Sequence, residues 1–211
     1  MQPTVTLTQK SGKGSTDRVI SEMATFFTVN PGQADELRQA CERFAAVALQ
    51  ADPKVVQRSG LRDSRHVLFD NDQRLLWATT FETEWDPYID DAVMVMGFRA
   101  FVDWMQYTVE GSTIIKSMKD SLMVGGPSLS TENSGEIDQF LSANTSDLKR
   151  ILQSVQAPAA GYWNMLADQT VPQIRKAQRV EAAFEQVLDN PAAAEALSHP
   201  ALQPLLEEAA D

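Results

Sequence analysis

Residues 62–82 read RDSRHVLFDNDQRLLWATTFE. Two runs rich in Val, Leu, Phe, Trp and Thr, Arg62–Asp70 and Arg74–Glu82, flank the polar pair Asn71-Asp72. That is the pattern of a β-hairpin closed by a two-residue turn. Such a turn sets Asp70 opposite Gln73, and the register follows: Phe69 faces Arg74, Val67 faces Leu76, His66 faces Trp77 and Arg65 faces Ala78. Alternation then sorts the side chains onto two faces. One carries Ser64, His66, Leu68, Leu75, Trp77, Thr79 and Phe81. The other carries Arg65, Val67, Phe69, Arg74, Leu76, Ala78 and Thr80. The second is more aliphatic and is expected to bed helices. The first mixes aromatics with hydrogen-bonding groups, the composition of a ligand pocket. His66 and Trp77 are therefore the candidate catalytic pair, His66 as base or polariser and Trp77 as aromatic wall. Ser64, Thr79, Phe81 and Leu68 are the candidate substrate-binding groups. The competing reading is a core histidine hydrogen-bonded to Ser64 or to backbone, beside a tryptophan that only packs. A one-residue slip would exchange the faces of one strand.

Upstream, Met23–Val29 is β-rich and stops at the turn signal Asn30-Pro31-Gly32. Leu37, Cys41, Phe44, Ala45 and Ala48 then recur at helical period, and Asp52-Pro53 interrupts the helix. Downstream, a second helix starts near Asp86-Pro87 and reaches Met96, with Gly97 as stop or kink. Phe98–Tyr107 reads as helical; its large apolar groups point to core or dimer contacts. Gly125 to Gly135 reads as loop, Asp147–Val155 as helix, and Ala159–Met165 as a candidate fourth strand. Thr170-Val171-Pro172-Gln173 has capping-box spacing and opens a helix to about Leu188. Asn190-Pro191 and His199-Pro200 punctuate short helices. The order strand, helix, hairpin, helix packs most economically as an antiparallel sheet with helices on one face, an α+β fold. The division expected is a flexible arm over 1–18, an α+β domain over 19–170, and a helical C-terminal segment over 171–211 packed on it.

The segments Phe26-Phe27-Thr28-Val29-Asn30-Pro31-Gly32 and Leu75-Leu76-Trp77-Ala78-Thr79-Thr80-Phe81-Glu82, each running into a helix, carry a resemblance. Residues 22–90, about a third of the chain, resemble the repeat of the dimeric α/β-barrel (ferredoxin-like) superfamily. Its members include antibiotic-biosynthesis-type monooxygenases, chlorite-dismutase-like haem proteins and dye-decolourising peroxidases. Phe81 falls where the small monooxygenases often carry Trp. The resemblance implies a ferredoxin-like sheet in a dimeric barrel, with the cavity on the sheet face away from the helices. It also implies a small-molecule oxidoreductase of oxygenase or peroxidase type, with either no cofactor or haem. The alternative is a non-catalytic small-ligand or haem-binding accessory protein on the same pocket. The Gly-x-x-Asp-Gly motif expected of the peroxidases does not occur. Haem relatives usually place their histidine on a C-terminal-half helix, whereas His199 precedes a proline.

The chain has 211 residues and a net charge of −11, from 18 basic and 29 acidic residues. That balance disfavours nucleic acid and anionic membrane surfaces as partners. The single Cys41, on an apolar helix face, fits a reducing compartment and a buried filler role. No run approaches the ~18 apolar residues of a membrane span, and residues 1–16 lack an apolar signal core, so the cytoplasm is expected. With two histidines and no ligand-spaced cluster, no metal site is expected. The expected partners are a small-molecule ligand and a second copy of the chain, because Leu68, Leu75, Trp77 and Phe81 would otherwise form an exposed apolar patch.

Overall fold

Residues 14–113, 115 and 145–210 are described by a computed structural model. The first 13 residues of the expected arm and the Gly125–Gly135 loop lie outside the described residues. Two compact units divide the chain, one running to Asp168 and the other starting at Gln169. The first is α+β, with strands β1 (Thr16–Asp17), β2 (Ile20–Thr28), β3 (Leu61–Phe69) and β4 (Arg74–Phe81) in one antiparallel sheet of order β1-β2-β4-β3. Its helices are α1 (Ala34–Gln50), α2 (Pro53–Arg58), α3 (Trp85–Met96), α4 (Phe98–Met105) and α5, residues 145–154, with a further helical stretch over residues 109–113. No helix among the described residues is long and apolar enough to cross a membrane.

The hairpin has the register that its turn dictates: Phe69 pairs with Arg74, Val67 with Leu76, His66 with Trp77 and Arg65 with Ala78. The Gln73 amide donates to the Asp70 carbonyl at 3.1 Å. Asp70, Asn71 and Asp72 all take the left-handed conformation, at φ 56°, 52° and 62°. Short Asx side chains tolerate that region better than other non-glycine residues. Asp63 sits beside Thr80, one step past a register shift between Leu61 and Asp63. Beside it, Arg62 Nε donates to Glu82 Oε1 at 2.6 Å, with the two side chains only 10% and 7% exposed.

The Asp52-Pro53 interruption is a helix start. Asp52 caps α2 by accepting from the Lys54 amide at 2.8 Å, and Pro53 occupies the first turn, where its missing N–H costs nothing. Gly60 then holds φ 73°, and its carbonyl accepts from the Glu82 amide at 3.0 Å. A Cβ there would stand 3.3 Å from that same amide nitrogen, so both the angle and the close approach favour glycine. Gly97, at φ 77°, separates α3 from α4.

The faces of the hairpin are the reverse of the sequence expectation. Leu75, Trp77, Thr79 and Phe81 are almost fully buried, together with Met23, Thr25 and Phe27 of β2. They form one core with Leu37, Ala40 and Phe44 of α1, Tyr88 and Ile89 of α3, and Phe101 and Trp104 of α4. The opposite face, with Val67 at 42% exposure and Phe26, Phe69, Leu76 and Ala78 half-buried, is the more open one. The physical reason is area. Aromatic side chains bury more apolar surface than aliphatic ones, and among the polar groups Trp77 Nε1, Thr79 and Tyr88 are hydrogen-bonded internally.

The candidate fourth strand, Ala159–Met165, is not a strand. Pairing beside β2 occurs earlier, as an antiparallel bridge of Gln156 with Thr25. There Phe26 donates to the Val155 carbonyl at 2.9 Å and Ala157 donates to the Ala24 carbonyl at 3.0 Å. Pro158 supplies no N–H to extend the ladder. The next acceptor, the Glu22 carbonyl, is taken by the Gly14 amide at 2.8 Å. The Ala159 amide turns instead to the Glu22 carboxylate at 3.3 Å, which also accepts from the Ser15 amide at 2.7 Å. Residues 14–17, expected to be loose, are thus paired along the edge of β2.

The second unit opens with α6 (Val171–Leu188), on the expected capping box between Thr170 and Gln173. Short helical turns, Pro191–Ala193, Ala194–Leu197, Pro200–Leu202 and Gln203–Glu208, follow. Asn190 and His199 cap two of them.

Candidate functional site

The centre of the helix-covered face is an aromatic cluster built on the His66–Trp77 pair. Cross-strand pairing and the sheet pleat place the two rings side by side, stacked at 5.9 Å and 7° between planes. Phe44 from α1 meets His66 edge-on at 5.2 Å, and Trp104 from α4 meets it at 5.0 Å. Phe101 packs against Phe44 at 5.1 Å and Trp77 at 5.8 Å. Helical spacing puts Phe101 and Trp104 on one side of α4, so the aromatic run Phe98 to Tyr107 contributes core.

His66 is not hydrogen-bonded to Ser64. The Ser64 hydroxyl accepts instead from Trp77 Nε1 at 2.9 Å. His66 Nε2 is buried without a partner, and so is Trp104 Nε1. Burial among these rings pushes the His66 pKa down to about 3, so the imidazole is neutral at ordinary pH. Thr79 is satisfied twice. Its hydroxyl donates to the Asp63 carbonyl at 2.9 Å, which leaves a lone pair to accept from the Tyr88 hydroxyl at 2.7 Å. Phe81 stacks on Tyr88 at 4.2 Å. Burial raises the Tyr88 pKa, and the Thr79 hydrogen bond opposes that only in part. Leu68 pairs with Leu75 and is half-buried against the core. Cys41 is buried and its thiol is pushed up to about 12, which makes it a poor nucleophile.

Beside this cluster lies a cavity of about 40 Å³. Trp77 and Phe101 line it, with Phe44 and Ala48 of α1, Val56 and Ser59 around α2, Leu61 and Ser64 of β3, and Tyr88, Ala92, Val95 and Met96 of α3. Of the six sequence candidates, Ser64 and Trp77 reach this cavity. Thr79 and Phe81 contact the lining residue Tyr88, and His66 contacts the lining residues Phe44 and Trp77, but none of the three lines the cavity. The α3 wall, Ala92, Val95 and Met96, carried no sequence signal beyond helical period, and the α2 wall belongs to a helix hidden behind a proline.

Haem does not fit these residues. His66 Nε2 is closed in by Phe44, Trp77 and Trp104, and a cavity of about 40 Å³ is far below the size of a macrocycle. The exposed His199 uses Nδ1 to accept from the Ala201 amide at 3.2 Å. No group of three or more His, Cys, Asp or Glu side chains among the described residues is arranged to hold a metal ion. No protein family, no curated protein and no solved structure matches the chain.

Proposed function

We propose that the chain binds a small, predominantly apolar ligand between its sheet and helices, as a ligand-binding or accessory module. The observation that supports this most directly is the cavity walled by Phe44, Trp77, Tyr88 and Phe101, with the Ser64 hydroxyl at its strand side. An apolar wall with a few placed polar groups is the usual composition of a ligand site. The volume accommodates roughly three waters, or the leading end of a ligand whose remainder extends outward. Trp77 reports occupancy, so titration with small aromatics followed by tryptophan fluorescence is the test. Saturable quenching that disappears in Ala92→Phe, which fills the cavity, supports the site. Unchanged emission up to millimolar ligand refutes it.

Oxidoreductase chemistry in the same pocket is the second reading, and the neutral state of His66 restricts it. A general base works best with a pKa near the working pH, and about 3 is far below that. His66 therefore serves such a reaction as a neutral polariser. Oxygen consumption with phenolic or quinol substrates is the measurement that separates enzyme from binder.

The ferredoxin-like dimer belongs to the same proposal, with its interface moved. Leu68, Leu75, Trp77 and Phe81 are covered by helices of their own chain, so they do not call for a partner. The open face does. Phe26 and Phe69 pack edge-to-face at 6.3 Å, Arg74 lies over Phe69 at 5.6 Å, and Val67 is 42% exposed. Arg74 and Asp63 lie at opposite ends of this face, so an antiparallel two-fold pairing sets opposite charges together. A solution mass near twice 23.3 kDa supports the dimer, and a mass near 23.3 kDa rejects it.

A further inference from the structure

None of the described residues of the second unit, 169–210, is buried. A segment of that size without a core is too small to be held by its own packing. Its longest helix, α6, nevertheless carries an apolar seam. Ala177, Val180, Phe184 and Val187 are spaced three, four and three residues apart, the repeat of a two-stranded coil, and Leu188 flanks them. Val180 is 59% exposed, Val187 42% and Leu188 37%.

Charge along α6 is divided by half. Arg175, Lys176 and Arg179 stand in the first half with no acid, and Glu181 and Glu185 in the second with no base. Asp189 caps the end. Inside one helix this order is unfavourable. Arg175 lies four residues before Arg179, and Glu181 four before Glu185, so like charges meet on neighbouring turns. Asp189 sits at the negative end of the helix dipole. None of the six side chains makes an ion pair among the described residues.

We propose that α6 is a docking surface for the α6 of a second copy of this chain, laid antiparallel as a two-stranded coil. About a midpoint at Ala182, the apolar and charge patterns agree. Ala177 stands level with the partner's Val187, and Val180 with the partner's Phe184. Arg179 comes level with the partner's Glu185, and Arg175 with the partner's Asp189. The basic half of each helix thus runs along the acidic half of the other. A parallel pair would set like charges together, and a surface of one sign would match only one half. The antiparallel copy matches both, and two-fold symmetry repeats every contact. This interface lies in the other unit from the sheet face proposed above, and either can fail without the other. A single pair of 18-residue helices makes a small interface, so the association is expected to be weak and reversible.

The test uses the full chain at high micromolar concentration, with a new cysteine at one of two exposed positions and a short bis-maleimide as cross-linker. Cys41, the native cysteine, is buried. Ala183→Cys lies beside the midpoint, next to its own copy, and should be linked into a dimer. Arg175→Cys lies about 21 Å along the axis from its own copy and should stay unlinked. Linking of both means a parallel pair, and linking of neither means no pair; either result overturns the proposal. Pairing through the sheet face alone gives neither product, so the two interfaces are told apart. A second measurement tests the charge pattern in the Ala183→Cys chain. Arg175→Glu, Lys176→Glu and Arg179→Glu together make α6 wholly acidic, and Glu181→Lys, Glu185→Lys and Asp189→Lys together make it wholly basic. Each chain alone should link at least about tenfold more slowly, and an equal mixture should recover the rate and give a mixed dimer by mass. Unchanged rates in the separate chains, or no mixed dimer, overturn the charge pairing. Should a triple variant lose its helix by circular dichroism, the two single cysteines still decide the matter.

Discussion

The buried neutral histidine makes stability depend on pH in a specific window. His66 has a pKa near 3 in the folded chain, against an ordinary 6.5. Between those values the unfolded chain binds a proton that the folded chain refuses. Stability is therefore full above pH 6.5 and is lost progressively as pH falls toward 3. Each unit below 6.5 removes more than about 1 kcal/mol, so His66 alone removes on the order of 3 kcal/mol by pH 4.5. That is a large share of the ~5–15 kcal/mol that usually holds a domain folded. The perturbation is His66→Phe, which keeps a flat ring against Phe44 and Trp77 and carries no titratable group. Urea unfolding of both proteins at half-unit steps from pH 7.5 to 4.5 isolates the contribution, because every carboxylate and His199 are common to the two. The wild-type curve is expected to fall away from the variant's below pH 6.5, the gap reaching on the order of 3 kcal/mol by pH 4.5. At pH 7.5 the variant should be equally or more stable, since it no longer buries a bare nitrogen. Parallel curves across the whole range would refute the buried, neutral imidazole.

Ser64→Ala removes the acceptor of Trp77 Nε1 and should cost about 1 kcal/mol in urea unfolding, with a red shift of tryptophan emission. Glu82→Ala leaves Arg62 in a nearly buried place and should cost about 3 kcal/mol. Asp103→Ala breaks the exposed pair with Arg43, held at 2.8 Å, and should cost under about 1 kcal/mol by the same assay. Asn71→Gly relieves a left-handed turn residue and should raise stability by about 0.5 kcal/mol, whereas Asn71→Val should lower it by about 1–2 kcal/mol.

The hairpin register was legible because a two-residue turn fixes every pair beyond it, and Asn71-Asp72 is a strong turn signal. Which face the helices cover was not legible. Aliphatic Val67, Leu76 and Ala78 looked like core, while Ser64, His66 and Thr79 looked like an open pocket. The deciding facts were tertiary: Trp77 finds Ser64, Tyr88 finds Thr79, and two helices bring Phe44, Phe101 and Trp104 onto the aromatic side. Polarity in a strand marks a pocket only when the polar atoms lack partners inside the chain. The pairing at 155–157 was missed for a related reason. Its sequence, Val-Gln-Ala before Pro158, is too short to show alternation, and its partner Thr25 lies far away in the chain.

The outer edge of β2 is capped by two strips from distant parts of the sequence, 14–17 on its first residues and 155–157 on its middle. Ser15 and Ala159 touch directly across that junction, hydroxyl to carbonyl at 3.1 Å. An uncapped strand reading ISEMATFFT offers a template on which another chain can pair, and such edges seed aggregation. Both strips must find β2 before the edge is closed. The contact spanning residues 15 to 159 carries a large loop-closure cost, so it tends to form late in folding. Until it does, the β2 edge is open to association with copies of the chain. A cut or deletion in either strip would extend that interval.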